Sequence, residues 1–151
     1  MNGIVVDTTC LIGLERIGRL DILSRIFPGA LIPRAVLREW NGDPHDLRIV
    51  DATNIDLVRS LTLHVDPGEA EVIALALELE LPALLDDRKA RELAARLNIR
   101  VVGTIGLILR AKRNGVIPTI APLLNGLRDV GFHMSDALYD EALRLSDERR
   151  G

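Results

Sequence analysis

The sequence predicts an α/β fold, a three-layer α/β/α sandwich around a central, mostly parallel sheet. Short apolar runs alternate along the chain with longer segments of helical periodicity. The connections between them are short, which favours parallel strands with helices on both faces. The candidate strands, such as 4–6 and 83–85, are apolar throughout, as is typical of strands that are buried on both faces.

The composition favours a protein with an aliphatic core. The 151 residues are 48% apolar but only 3% aromatic, so we expect one domain over residues 1–151 with a core of Leu, Ile, Val and Ala. No apolar run reaches the ~20 residues of a membrane span. The first three residues lack the charged leader of a secretion signal. We therefore predict a cytoplasmic protein that does not enter a membrane.

The first half of the chain contains two strand candidates, each followed by an acidic residue. Ile4 to Val6 is a β-branched run, and Asp7 comes directly after it. A second apolar run precedes Pro33, which opens the helix that carries Glu39. Alternating apolar residues over 61–65 indicate a further short strand. In chain order we predict a strand at 4–6, helices at 11–17 and 20–27, a strand at 30–32, a helix from 33, a partly helical connection over 41–56 and a strand at 61–65.

The stretch that begins at Asp66 predicts a central helix. Asp66 can cap the first backbone N–H groups, Pro67 suits the first helical position, and Glu69 completes the spacing of a capping box. From 70 to 79 the segment is apolar on nearly every side, which a helix sustains only when neighbours bury it on several faces. Pro82 marks its end.

The second half of the chain repeats the order of strand and helix. The strand at 83–85 leads to Asp86 and Asp87, and the next segment has apolar residues at helical spacing with arginines outside. In chain order we predict strands at 83–85 and 100–102, and helices after 87, from 103 to about 114, from between 118 and 122, and from 135 to 147.

Acidic residues follow the predicted strand ends. Asp7, Glu39 and the pair Asp86 and Asp87 lie at or just after such ends, and Glu69 opens the central helix. Ligands of parallel sheets bind beyond the carboxyl ends of the strands, so four acids could converge there. Clustered carboxylates stay ionised only beside a cation, and an all-oxygen ligand set suits Mg²⁺ or Mn²⁺. The chemistry that such a site predicts is metal-dependent phosphodiester hydrolysis.

Each of these acids also has a purely structural interpretation. Asp7 can cap a helix, Glu69 can be the return half of the capping box, and one of Asp86 and Asp87 is a natural N-cap. Glu71 is the alternative to Glu69, since helix residues two apart point in nearly opposite directions. We predict that Glu69 serves the site, because it shares a side with apolar residues whereas Glu71 aligns with a more exposed stripe.

The charge of the chain is unevenly distributed. Residues 88–113 carry eight basic residues and one acid, although the net charge of the chain is −3. Such a split can place a basic surface beside an acidic pocket, although ordinary solvated helix faces give the same pattern. The candidates for RNA binding in this segment are Arg88, Arg110 and Lys112.

Several segments resemble the PIN-domain nucleases, and the DUF3368 branch of PIN-like proteins in particular. The opening Val5-Val6-Asp7-Thr8-Thr9 is similar to the start of PIN domains, and 33–39 is similar to their second acidic motif. The similarity extends over nearly the whole chain, through Gly68-Glu69-Ala70-Glu71, residues 84–91, 102–106 and 110–113.

The resemblance implies a PIN-like fold and a Mg²⁺- or Mn²⁺-dependent endoribonuclease, the toxin of a type II toxin–antitoxin pair. It implies Asp7, Glu39, Glu69 and Asp87 as metal ligands and catalytic residues, with Asp86 and Glu71 as alternatives. Expected partners are RNA, an antitoxin protein and a second copy in a homodimer. Two residues depart from the pattern: Leu85 replaces the usual Ser or Thr, and Glu69 replaces Asp. The alternative is a PIN-like module, weak or inactive in catalysis, that binds RNA or a partner protein.

Overall fold

A parallel sheet lies at the centre of the computed structural model, which describes residues 3–149. Its strands in that range are β1 (Gly3–Val6), β2 (Gly29–Ile32), β3 (Arg48–Ile49), β4 (Ala83–Leu84) and β5 (Val101–Val102). They lie in the order β3-β2-β1-β4-β5, and every pairing is parallel. The predicted α/β class with a parallel sheet is thus confirmed.

Helices cover both faces of this sheet. Successive strand residues point to opposite faces, yet Ile4, Val5 and Val6 are all 0% exposed, so both sides of β1 are covered. This confirms the predicted three-layer α/β/α arrangement. No helix within residues 3–149 is long and apolar enough to cross a membrane. The helices of this range are α1 (Thr8–Arg16), α2 (Asp21–Ile26), α3 (Arg34–Trp40), α4 (Ile55–Leu61), α5 (Pro67–Leu79), α6 (Arg88–Arg96), α7 (Thr104–Arg113), α8 (Ala121–Asp129) and α9 (Asp136–Leu145).

Helix α5 is the predicted central helix, and its capping box is confirmed. The Asp66 side chain accepts the Glu69 N–H at 2.8 Å, and Glu69 Oε1 accepts the Asp66 N–H at 3.1 Å. The helix ends at Leu79 because Glu80 adopts a left-handed conformation, with φ 55°. Its residues from 72 to 76 are all buried, as the absence of a polar side there predicts.

The strand predicted over 61–65 is wrong. Asn54 caps α4 by accepting the Leu57 N–H, so the helix begins at Ile55, includes Leu61 and is followed by turns. Leu63 is 81% exposed, which shows that the alternating residues do not form one inward face. The polar connection over 41–56 contains β3, which the sequence did not reveal because its two residues are exposed. The last helix ends at Leu145, two residues earlier than predicted.

The carboxyl ends of the strands form one edge of the sheet, and several helices begin there. Helices α1 and α3 start within two residues of the ends of β1 and β2, and α7 starts two residues after β5. Asp7 is held at this edge, since its N–H donates to the carbonyl of Leu84 at 3.1 Å. This edge is where acidic residues were expected to gather.

Candidate functional site

Asp7 occupies the centre of the acidic edge. It is the N-cap residue of α1, but its side chain makes no capping hydrogen bond, and only 6% of the residue is exposed. Burial removes water from the carboxylate, and the charges of Asp66, Glu39 and Asp86 add to this, so that the pKa of Asp7 rises to about 7 although the Thr8 N–H lowers it. The structure therefore shows a carboxylate whose ionised form lacks compensation.

Gly68, near the start of α5, marks the point at which three acids meet. A Cβ atom built on Gly68 would lie 3.4 Å from Glu39 Oε2, 3.5 Å from Asp66 Oδ1 and 3.8 Å from Asp7 Oδ1. These side chains come from α3, from the cap of α5 and from the end of β1. The structure thus places oxygens of Asp7 and Glu39 near one point, and adds Asp66, which sequence reasoning had treated only as a cap.

The two glutamates of α5 lie in different surroundings. Glu69 is 7% exposed, and burial, together with the charges of Asp66 and Asp7, raises its pKa to about 7, against the Asp66 backbone hydrogen bond that lowers it. Glu71 has a buried Oε2 without a hydrogen-bond partner, and burial and the nearby Asp51 raise its pKa while Arg38 lowers it. Glu69 is therefore the glutamate near Asp7, and Glu71 faces another part of the chain.

Asp86 and Asp87 are neighbours in the chain, but they also lie in different surroundings. Asp86 accepts two hydrogen bonds from Thr104, from the backbone N–H at 2.8 Å and from Oγ1 at 2.6 Å. Burial raises its pKa, while the Thr104 bonds and Arg91 lower it. Asp87 is exposed and caps α6, because its Oδ2 accepts the Ala90 N–H at 3.0 Å. Thr104, which sequence reasoning missed, is thus the residue that holds Asp86 in place.

The acidic cluster fits a hard divalent cation in its chemistry. Within residues 3–149 no Lys, Arg or His forms an ion pair with Asp7, Glu39 or Asp66. The three side chains offer carboxylate oxygens as metal ligands, which Mg²⁺ and Mn²⁺ prefer. In the same range no three acidic, His or Cys side chains are arranged to ligate one ion as they lie.

The three predicted RNA-binding residues have different partners. The Arg88 side chain is 93% exposed and pairs with Glu92 one turn along α6, at 3.1 Å. Arg110 places its guanidinium 5.1 Å from the centre of the Phe27 ring. Lys112 Nζ lies 2.9 Å from Glu148 Oε2, and its side chain is only 24% exposed. Arg88 is therefore the most accessible of the three, and Lys112 is engaged within the protein.

A groove of about 960 Å³ adjoins the acidic edge. Asp86 and Arg91 line it together with residues of β5, α7 and α9. The guanidinium of Arg91 donates to the carbonyl of Leu85 at 2.8 Å, so this cation is fixed beside the end of β4. A basic and largely apolar groove thus lies next to the acids.

Comparison with family models identifies a known domain in this chain. A family model described as a PIN domain, DUF3368, matches residues 3–148. No curated protein matches the chain. The matched range contains every element from β1 to α9 and every candidate site residue.

Proposed function

The chain belongs to the DUF3368 family of PIN domains, and on that premise we propose that it hydrolyses RNA phosphodiester bonds with Mg²⁺ or Mn²⁺. PIN domains are generally nucleases and typically use divalent metals. The observation that carries the proposal is the meeting of Asp7 and Glu39 beside the start of α5, where neither has a basic partner among residues 3–149. A polyanionic substrate would be repelled from such a cluster unless a cation were held there.

The roles of individual residues follow from their positions. Asp7 and Glu39 would hold the cation, with further oxygens from the α5 start and from Asp86 or Asp87. When bound, Mg²⁺ or Mn²⁺ supplies Lewis acidity toward the phosphoryl oxygens and lowers the pKa of a coordinated water. Thr104 fixes the Asp86 carboxylate through two hydrogen bonds, and the exposed Arg88 offers its charge to the RNA backbone.

The proposal includes the biological role that the family resemblance implies. We infer an endoribonuclease toxin of a type II toxin–antitoxin pair, which acts in the cytoplasm and forms a homodimer. Expression in a bacterial host should then arrest growth, and Asp7→Asn should relieve the arrest. Normal growth with the wild type soluble and abundant would contradict the toxin role, while cleavage in vitro would still support the nuclease.

The central test is metal-dependent cleavage of single-stranded RNA by the purified protein. We expect cleavage with Mg²⁺ or Mn²⁺, none with EDTA, and a loss on the order of 10²-fold or more in Asp7→Asn, because a central carboxylate loses its charge. Glu71→Gln is the matched control, since Glu71 faces Asp51 and not Asp7. Equal residual cleavage by wild type and Asp7→Asn would indicate a contaminating nuclease and refute the proposal.

A second function is favoured by one observation, namely that an oxygen of Glu69 is already committed to the Asp66 N–H. A site with fewer free ligands could bind RNA or a partner protein with weak catalysis or none. This alternative predicts that RNA binding survives Asp7→Asn and that Mn²⁺ produces no cleavage in either protein.

A further inference from the structure

We propose that Asp66 is a ligand of the divalent cation and that Gly68 keeps open the space beside it. This inference rests on the proposed function, because it concerns the same acidic edge. It assigns to Asp66 a role beyond capping α5, and to Gly68 a role beyond its place in the helix.

The geometry around Gly68 supplies the first argument. The position of its absent Cβ is nearly equidistant from oxygens of Glu39, Asp66 and Asp7, at 3.4, 3.5 and 3.8 Å. A side chain at this position would fill the space between three carboxylates from three different elements. Glycine leaves that space to water or to an ion, although it costs backbone entropy within a helix.

The free oxygen of Asp66 supplies the second argument. Oδ1 accepts the Glu69 N–H, whereas Oδ2 forms no hydrogen bond or ion pair with any part of the chain that the structure describes. Glu69 is held in the matching way, since its Oε1 accepts the Asp66 N–H and its Oε2 forms no hydrogen bond or ion pair within the described residues. Asp66 therefore keeps one oxygen available to an ion although its other oxygen caps α5.

The charge of Asp66 supplies the third argument. Capping needs only a hydrogen-bond acceptor, and Asn or Ser serves as well as Asp. In this position a carboxylate faces Asp7 and Glu39, so its charge destabilises the metal-free protein. A charged cap beside two uncompensated acids is explained when a cation compensates all three.

The decisive variant is Asp66→Asn, which keeps an acceptor for the Glu69 N–H and removes the charge. We expect Mn²⁺ affinity, measured by isothermal titration calorimetry on the full chain, to fall about tenfold or more. The melting temperature of the metal-free variant should equal or exceed that of the wild type, because repulsion from Asp7 is relieved. Asp56→Asn, in the first turn of α4, is the matched control and should change neither quantity.

The Gly68→Ala variant tests whether the space beside Asp66 must stay open for the cation. Alanine favours a helix more than glycine does, and the added methyl group would meet the carboxylate oxygens at ordinary contact distances. We therefore expect a metal-free melting temperature at or above that of the wild type, together with weaker Mn²⁺ binding. Gly106→Ala in α7 is the control, because its Cβ would meet only Val102, at 3.7 Å, and Mn²⁺ affinity should stay unchanged.

The outcomes separate this inference from the proposed function. Normal Mn²⁺ binding by Asp66→Asn, with loss in Asp7→Asn and Glu69→Gln, would overturn the role of Asp66 and leave the metal site standing. No saturable Mn²⁺ binding by the wild type would overturn both. Loss in Asp66→Asn and Asp7→Asn with an intact melting temperature would support the assignment.

Discussion

Two regions of this protein differ in whether their carboxylates have compensating partners. At the carboxyl edge of the sheet, Asp7, Glu39 and Asp66 lie near one another, and none has a basic partner among the residues described. Near the end of the chain, Glu148 is surrounded by donors, including the ammonium of Lys112 at 2.9 Å. The same residue types are left uncompensated in one region and fully compensated in the other.

The hydrogen bonds of Glu148 explain the second region. It accepts the N–H groups of Ile120 and Ala121 at the start of α8, at 2.8 and 3.2 Å, and the hydroxyl of Ser146 at 3.1 Å. Although burial raises its pKa, Lys112 and these donors lower it below the usual range. This carboxylate therefore fastens the C-terminal segment to α7 and α8.

This difference in compensation distinguishes a structural carboxylate from a candidate metal ligand. A protein that needed its acids only for stability would supply each of them with donors, as it does for Glu148. Asp7 instead bears an unfavourable charge when ionised, and such a charge points to a missing positive partner. The contrast between the two regions therefore supports the proposal that the functional site includes Asp7.

The largest effect that tests this contrast is the pH dependence of stability without metal. The pKa of Asp7 is about 7 when folded and 3.8 by the ordinary value, so the native state binds a proton that the unfolded state has released. The free energy of unfolding should therefore fall as pH rises from about 4 to 7, by up to about 4 kcal/mol from Asp7. Urea unfolding in EDTA at pH 5 and pH 8 captures about 2 to 3 kcal/mol of this fall.

The controls for this prediction follow from the other carboxylates. The pKa of Glu69 is raised in the same direction. The lowered pKa values of Asp51 and Glu148 reduce stability only as pH falls to about 4.5 and below, outside the measured range of pH 5 to 8. Because Glu69, Glu71 and Asp86 also have raised pKa values, Asp7→Asn should make the profile shallower but not flat. Mn²⁺ at pH 8 should restore stability to the wild type. An equally steep profile in Asp7→Asn would show that Asp7 is not the uncompensated group.

The next effect concerns the compensated region. Lys112→Met removes the ammonium and leaves the largely buried Glu148 carboxylate with neutral donors alone, so we expect the free energy of unfolding to fall by about 2 to 3 kcal/mol. Lys89→Met, on the exposed face of α6, is the control and should have little effect. Urea unfolding at pH 7 measures both variants.

The same variant decides the role of Lys112 toward RNA. If the ammonium serves only the ion pair with Glu148, RNA affinity at a temperature where the variant is folded should match that of the wild type. Weaker binding by folded Lys112→Met would instead support the RNA-binding role predicted from the basic segment, and an unchanged free energy of unfolding would refute the structural role.

The sequence predicted the layers of the fold well because strong local signals agreed. For the capping box of α5 and the apolar runs of β1 and β4, the local sequence signals agree with the packing of the fold. The signals failed where tertiary context decides. The exposed, two-residue β3 has no apolar pattern, and the apparent alternation over 61–65 was overridden by the cap at Asn54.

The candidate site was only partly predictable for a related reason. Strand ends placed Asp7 and Asp86 at one edge, because the topology of a parallel sheet fixes where such ends lie. The position of Asp66 beside Glu39 depends on how α3 packs against α5, which no local pattern states. The available signal was the acidic N-cap at the start of the central helix. Because capping alone explained Asp66, this signal did not point to the site.

The smallest expected effect compares two exposed arginines, one near each group of carboxylates. Arg88 pairs with Glu92 on α6 next to Asp87, and Arg144 pairs with Glu141 on α9. If RNA lies along the uncompensated edge, Arg88→Ala should reduce the slope of log affinity against log salt by about 0.7, the value for one contact with a single strand. Arg144→Ala should leave the slope unchanged. Fluorescence anisotropy across a salt series measures both variants.

This pair of variants is informative because both arginines make the same kind of contact within the protein. Each forms an ion pair with a glutamate on its own helix at the surface, so loss of that pair should change the melting temperature little in either variant. A difference in salt slope then reports contact with RNA rather than damage to the fold. Equal slopes for Arg88→Ala, Arg144→Ala and the wild type would remove the start of α6 from the RNA path. A reduced slope in Arg144→Ala alone would place the RNA along α9, on the side of the chain where the carboxylates are compensated.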